Sequence, residues 1–266
     1  MKYALIVGAE GGLAKAAISA LEQKEDFEFF CCDIAYDGYV KNGNKHFLHL
    51  DARNVEDFEK AKEYVLKVTD KLDLVSYFAG IVTLGSLVEL PVGELDKILA
   101  INLLGMHRTN SVFFDMIFKA KGRIVNISSE YGKICALPFH GYYGISKHAV
   151  EAYNDSLRRE LAEFGIKVVA IRPGAFATNM QAGITAQFDK TVADTKLYKA
   201  KLNKMSGLMV KELKKAKDPK IFGKVFVKAA LAKKPKRYYA VNNSFKMKML
   251  TAIGPGMQDW ALEKFL

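Results

Sequence analysis

Apolar residues in this chain fall into short unbroken runs separated by longer stretches with helical spacing. The runs are YALIV (3–7), FEFFCC (27–32), HFLHL (46–50), LDLVSYFAG (72–80), GRIVNIS (122–128) and KVVAIRPG (167–174). Runs this short and continuous predict strands buried on both faces, because successive side chains point to opposite sides of a sheet. Between them, residues 13–23, 55–67, 91–119 and 143–164 carry the helical period, the last in a long amphipathic pattern. Six strands alternating with helices predict an α/β fold, doubly wound, with a central parallel sheet covered on both faces. One polar residue, Asn102, interrupts the apolar stretch KILAINLLGM. It either hydrogen-bonds locally or kinks the helix around a water.

Composition narrows the setting. The 266 residues are 50% hydrophobic and 26% charged, sufficient for a sizeable core in a single domain spanning 1–266. No linker, low-complexity tract or internal repeat divides the sequence. Cys31, Cys32 and Cys135 form no CxxC pair, and the first two point to opposite faces of one strand. Buried free thiols and a cytoplasmic location are expected. The chain enters an apolar run at once, so no signal peptide is expected, and no apolar segment reaches the roughly 18 residues of a membrane span. Charge is uneven: residues 181–266 hold 19 Lys plus Arg against 6 Asp plus Glu, a net of +13, whereas residues 1–180 hold 21 against 23, a net of −2. The basic last third would attract an acidic substrate handle, a carrier protein or an anionic membrane surface, or it is a solvated lysine-rich face. Few aromatic residues interleave its lysines, which argues against nucleic acid.

Candidate chemistry gathers where the predicted strands end. The first strand runs into Gly8-Ala9-Glu10-Gly11-Gly12 and then a helix, which places backbone N–H groups and a positive helix end where a pyrophosphate can rest. The second strand ends at Asp33, 21 residues after Gly12. A carboxylate there is suited to the two ribose hydroxyls of an adenosine and repels a 2′-phosphate, so NAD is expected rather than NADP. Asp51 follows the third strand, within reach of an adenine edge, and Gly80 ends the fourth, where the backbone can approach a ribose. The fifth ends at Ser128-Ser129. Tyr143 and Lys147 stand at i and i+4 of the long helix, one turn apart on one face. An ammonium there favours the phenolate, although this spacing also arises by chance in many helices. Of two adjacent tyrosines only Tyr143 has this lysine partner; Tyr142 is followed at that distance by Ser146. The five histidines show no metal-ligand pattern, and no metal is expected. His140, three residues before Tyr143, is placed to line a pocket.

The ordered set VGAEGGLA, Asp33, LDARN, Ala79-Gly80, INLLG, GRIVNISS, YYGISK and RPGAFAT resembles the short-chain dehydrogenase/reductase superfamily over nearly the whole length. The stretch DPKIFGKVFVKAALAKKPKRYYAV further resembles the hydroxysteroid and retinol dehydrogenase branch. The resemblance implies a Rossmann-type domain whose cofactor-binding half ends near residue 125. It implies cofactor contacts at Gly8, Glu10, Gly12, Leu13 and Asp33, and at Asp51, Ala52, Ala79 and Gly80. It makes Tyr143 the acid/base and Lys147 a ligand of the nicotinamide ribose that lowers the Tyr143 pKa. Ser129 would bond the substrate oxygen, and Asn102 would hold a water leading from Lys147 to solvent. Thr178 would hold the nicotinamide carboxamide beside a wall shaped by Pro173 and Gly174. The family's usual Thr is replaced by Val7, and its Gly by Ala14. Its Asn-Asn pair is replaced by Tyr77-Phe78, so a polar anchor is expected to be lost. The interval from Ser129 to Tyr143 is one residue longer than usual. A bulge in GKICALPF, with Ser129 rather than Ser128 in the site, is the expected accommodation.

The implied reaction is hydride transfer between nicotinamide and a secondary alcohol or ketone. Residues 180–217 follow the nicotinamide loop and are predicted to form a helical lid mixing Met180, Ile184, Phe188, Leu197, Tyr198, Leu202, Met205, Leu208 and Met209 with lysines. Amphipathic spacing of this kind often means core packing, yet with the branch resemblance it favours a steroid-like or long-chain substrate. An acidic or carrier-linked 3-oxo substrate is the alternative, and a non-catalytic NAD-binding scaffold a further one. Family analogy implies a homodimer or homotetramer through the long helix.

Overall fold

The structure, a computed structural model, describes residues 1–265; the side chains of residues 182, 208–210, 212, 213 and 265 lie outside the description. Leu208 and Met209 of the predicted lid are therefore outside the described residues.

All six apolar runs form strands. In chain order the first half contains β1 (Lys2–Val7), α1 (Gly12–Glu22), β2 (Phe27–Asp33), β3 (Tyr39–Asn42), β4 (Lys45–His49), α2 (Val55–Leu66) and β5 (Leu74–Tyr77). Then come α3 (Val92–Leu99), a π-helical turn (Ala100–Leu104), α4 (Gly105–Val112), α5 (Phe114–Ala120) and β6 (Arg123–Ile127). A 3-10 turn (Glu130–Gly132) leads to α6 (Gly141–Glu160) and β7 (Lys167–Pro173). The chain closes with α7 (Asn179–Asp194), α8 (Lys199–Leu213), α9 (Pro219–Leu231), β8 (Tyr238–Val241), α10 (Phe245–Ala252) and α11 (Pro255–Phe265).

The sheet has eight strands in the order β3-β4-β2-β1-β5-β6-β7-β8. Every pairing is parallel except β3 with β4. The two strands missing from the sequence reading, β3 and β8, are the edges. YVKN is exposed throughout and YYAV buries only Val241 fully, so neither shows the unbroken apolar run that two covered faces impose on a central strand.

Alternation along each central strand feeds two cores. Leu5, Val7, Phe30 and Cys32 pack with α2, α4, α5 and α6 on one face. Ala4, Ile6, Phe29 and Cys31 pack with α1 and α9 on the other. The adjacent cysteines thus do part to opposite faces, both buried. Strand order reverses between β1 and β5, and the crevice beyond their carboxyl ends is where such sheets bind ligands.

Candidate active site

The loop after β1 is shaped by close approach. Gly8 has φ 81, and a Cβ on it would lie 2.3 Å from the backbone nitrogen of Ala79. Only glycine permits both that conformation and that contact. Across the crevice, a Cβ on Gly12 would lie 2.8 Å from Cγ2 of Thr178. The starts of α1 and α7 therefore converge. Neither helix end is capped by a side chain, and neither has an acidic residue in its first turn. Two uncompensated positive helix ends facing one gap suit a pyrophosphate, so the residues present fit a dinucleotide. Leu13 packs partly buried against the α1 side of the core.

Asp33 ends β2 with its carboxylate accepting from the Glu10 N–H at 2.9 Å and the Ala35 N–H at 3.0 Å. Glu10 itself pairs with Lys15. Asp51 is bound by Arg53 through both carboxylate oxygens, which, against the effect of burial, holds it below the usual carboxylate range. The Ala52 carbonyl accepts from Arg108 at 2.9 Å. A Cβ on Gly80 would lie 3.3 Å from Asn102 Oδ1 and 3.8 Å from Lys147 Nζ. On the far wall, a Cβ on Gly174 would lie 2.0 Å from the Asn242 carbonyl. Pro173 ends β7. β8 thus presses on the Pro173–Gly174 turn.

Asn102 sits in the π-helical turn, so the interruption is an extra residue within the helix. Its Nδ2 donates to the Ile81 carbonyl at 2.9 Å and to Ser146 Oγ at 3.0 Å, and its Oδ1 accepts from the Ile81 N–H at 2.8 Å. The polar anchor expected to be lost at Tyr77 is present in another form: the Tyr77 hydroxyl donates to the Ile101 carbonyl in this turn.

Ser129 lies near enough to Tyr143 for its hydroxyl to pull the phenol's pKa down, while its Oγ accepts from the Tyr131 N–H at 3.2 Å. Ser128 Oγ is buried elsewhere without a hydrogen-bond partner. The structure thus brings Ser129, not Ser128, to Tyr143. The longer interval is taken up by the loop before α6, where Phe139 adopts φ 63 and is nearly buried. Lys147 is buried and donates from Nζ to the Ile127 carbonyl at 3.1 Å, with Nζ 5.8 Å from the centroid of the Tyr143 ring.

Burial pushes the Tyr143 phenol up to about 12, against the pull of the Ser129 hydroxyl and with help from Glu130. Burial likewise pushes Lys147 down to about 8, with Glu151 pulling the other way. Burial is the largest influence on the phenol, and the Lys147 ammonium is directed to the Ile127 carbonyl. Tyr143 is held in its protonated form.

His140 stacks on Tyr131 at 5.2 Å, and Tyr131 meets the Tyr143 ring edge-on at 5.5 Å. Burial lowers the His140 pKa, so the ring is a neutral wall beside Tyr143. Tyr131 was not singled out in the sequence, although an aromatic two residues after Ser129 was a usable signal. The long-range ties had none. Glu130 accepts from the Ser244 N–H at 2.7 Å, and Glu151 holds Arg172 through both oxygens.

A cleft of about 640 Å³ opens beside Gly80, between residues 81–83, Glu94 and Lys97 on one side and α7 on the other, where Met180, Ile184 and Lys190 face it. The lid residues Ile184, Phe188, Tyr198, Leu202 and Met205 pack with Leu84 and Phe139 in a third small core, whereas Leu197 is 71% exposed. A cavity of about 190 Å³ lies near Lys2, Arg123 and Lys167, at the strands' amino ends, and none of the predicted site residues lines it. Among the described residues no cluster of His, Cys, Asp and Glu could hold a metal.

Comparison with known proteins agrees with this architecture. The family model of the short chain dehydrogenase matches residues 2–189. Retinol dehydrogenase 7 of Mus musculus is 33% identical over 186 residues, 67% of this chain, which spans 58% of that protein's length. The NADPH-dependent 3-dehydrocapnine reductase of Ornithobacterium rhinotracheale is 30% identical over 263 residues, covering 91% of this chain and 88% of that one. The crystal structure of a short-chain dehydrogenase from Streptomyces avermitilis superposes with a TM-score of 0.74 at 20% identity, covering 99% of this chain and 94% of that chain. The chain belongs to the short-chain dehydrogenase/reductase family, with relatives in its retinol and hydroxysteroid dehydrogenase branch.

Proposed function

We propose that this protein is an NAD(H)-dependent oxidoreductase that interconverts a secondary alcohol and a ketone on a largely apolar molecule, with Tyr143 as the acid/base. The observation that carries the reading is the buried Lys147, its Nζ 5.8 Å from the centroid of the Tyr143 ring, with Ser129 beside it at the carboxyl ends of the strands. The nicotinamide, when bound, supplies or takes the hydride. The protein's residues handle the proton and the charge. Protonated Tyr143 gives its proton to the ketone oxygen as negative charge grows there, and Ser129 donates a hydrogen bond to the same oxygen. Lys147 then lies next to a phenolate, which its ammonium stabilises. Lys147 and Gly80 would hold the nicotinamide ribose, and Thr178 the carboxamide at the α7 end. Asn102 would connect Lys147 to solvent.

Asp33 supports NAD over NADP: its carboxylate lies at the end of β2, fixed by two N–H groups, and among the described residues it has no salt bridge. The long-matching relative is NADPH-dependent by name, so both cofactors belong in the test. Lys97 and Lys190 at the cleft favour a second reading, reduction of a 3-oxo substrate carrying an anionic group. A homodimer or homotetramer seam along α6 is part of the same proposal, supported by Ile145 at 44% exposure on its outer side. Contact with a membrane surface is supported by exposed Phe245 and Trp260 in α10 and α11.

The experiment follows NADH and NADPH oxidation against a panel of apolar ketones and 3-oxo acids. Tyr143→Phe should lower kcat by about 10²-fold or more, the usual worth of a positioned acid/base. Asp33→Ala should weaken NADH use and relax rejection of NADPH. A wild type that binds NADH but turns over no ketone of the panel would favour the scaffold reading, and an unchanged cofactor preference would end the reading of Asp33.

A further inference from the structure

We propose that Tyr77 and Arg108 are positioning residues that hold the π-helical turn in the register from which Asn102 serves the proton route of Lys147. The proposal rests on the reading of Asn102, Tyr143 and Lys147 given above, and it concerns residues that the family pattern does not assign.

A π-helical turn displaces hydrogen bonds by one residue, so a carbonyl within it loses its helical donor. In an uninterrupted α-helix the Gly105 N–H would donate to Ile101; here it donates to Ala100. The Ile101 carbonyl accepts instead from the Tyr77 hydroxyl, which reaches it from the end of β5. Tyr77 is 2% exposed, so its hydroxyl must find a partner inside the protein. A Cβ on Gly105 would lie 2.2 Å from the Tyr77 oxygen. The phenol therefore occupies the space of a missing side chain. Arg108, one turn further on, donates to the Ala100 carbonyl at 3.3 Å and to the Ala52 carbonyl at 2.9 Å. The two carbonyls at the start of the extra turn thus both accept from side chains, Ile101 from Tyr77 of β5 and Ala100 from Arg108 of α4 in addition to the Gly105 N–H.

The turn they hold aims Asn102. Its amide is saturated by Ile81 and by Ser146 Oγ, and Ser146 in turn donates to the Tyr143 carbonyl at 2.8 Å. Ser146 immediately precedes Lys147. A one-residue slip back to α-helical register would rotate Asn102 by about 100° about the helix axis and break all three of its bonds. Tyr77 thus acts on the α6 pair through Asn102, and Arg108 ties the same turn to the loop where an adenine is expected.

Tyr77→Phe keeps the ring and removes only the donor. With NADH and a ketone accepted by the wild type, kcat should fall about tenfold, the scale of one lost bond to a buried carbonyl. The KM for NADH should stay within about twofold, since the cofactor loops are untouched. The solvent deuterium isotope effect on kcat should rise. Independently of any substrate, amide exchange in residues 99–106 should accelerate while β1 and β6 keep their protection. Arg108→Met should lower kcat similarly and also weaken NADH binding, and it carries the test if Tyr77→Phe does not fold. Wild-type kcat, isotope effect and exchange in a folded Tyr77→Phe would overturn the proposal. Asn102→Ala, measured alongside, separates the two levels: if it is fully active the underlying reading fails, and if it is impaired while Tyr77→Phe is not, only the positioning role fails.

Discussion

Two kinds of helix start in this protein stand in contrast. At α2, Asn54 accepts from the Glu56 N–H, and Glu56 and Asp57 fill the first turn. At α9, Asp218 accepts from the Lys220 N–H and Pro219 follows it. At α10, Ser244 accepts from the Met247 N–H. The starts of α1, α6 and α7 have no side-chain cap and no first-turn acid. Capping an end contributes about 1 kcal/mol. α3 and α5 also lack a cap but carry Glu94 and Asp115 in their first turns, and α4 continues directly from the π-helical turn; α1, α6 and α7, which start beside Gly12, Tyr143 and Thr178, have neither cap nor acid. The difference teaches that stability has been left out where a ligand can supply the missing partners. A helix end alone would not establish this, but here the starts of α1 and α7 meet where a Cβ on Gly12 would lie 2.8 Å from Thr178.

The sharpest way to break the comparison is to give α1 the cap it lacks. Gly11 is its N-cap, exposed, with φ −63 and ψ 143, a conformation open to any residue. A Cβ there would meet only the Gly8 carbonyl, at 3.2 Å. Gly11→Asp should accept N–H groups of the first turn and raise thermal stability by about 1 kcal/mol. It should also place a negative charge at the anion end and weaken NADH binding by about 10²-fold, measured by fluorescence titration. A variant that is stabilised and still binds normally would show that this end does not hold the pyrophosphate.

The convergence of α1 and α7 is tested next, with a smaller effect. Gly12→Ala puts a methyl against Thr178 Cγ2 and should weaken NADH binding about tenfold by forcing the helix ends apart. Thr178→Ser removes that methyl and keeps the hydroxyl. The double variant should recover most of the loss, and the interaction energy in the double-mutant cycle reads the contact directly. Purely additive losses would mean that the two starts do not meet.

Much of this was legible in the sequence, for a physical reason. Strands covered on both faces must be apolar throughout, so β1, β2, β4, β5, β6 and β7 announced themselves, and their ends located Gly8, Asp33, Gly80, Ser129 and Thr178. Helical spacing put Tyr143 and Lys147 on one face. The edges β3 and β8 were not legible, because one-sided burial leaves no continuous run. Nor was the state of Tyr143: the spacing predicts proximity to Lys147, but the direction of an ammonium depends on the Ile127 carbonyl, a contact made 20 residues away. The replacement of the family's Asn by Tyr77 read as a loss. Only the fold shows that a longer donor and Gly105 restore a bond to the π-helical turn.

The closed helix ends supply the control and the smallest effect. Asn54 caps α2, which packs Phe58, Ala61 and Val65 into the core on the face shared with α6. Asn54 also donates from Nδ2 to Asp57 at 3.0 Å, and Asp57 accepts from the Asp51 N–H. Asn54→Ala should therefore cost about 1 kcal/mol of stability in urea unfolding, with the denaturant slope unchanged. Since the cap serves the helix and Asp57 keeps its bond to the Asp51 N–H through its other oxygen, NADH affinity at a temperature well below unfolding should match the wild type. A fall in affinity comparable to that of Gly11→Asp would erase the distinction between structural and ligand-facing helix ends. An unchanged affinity with lowered stability would locate the difference in what each end faces, since α1 and α2 both begin on carboxyl-side loops of the same sheet.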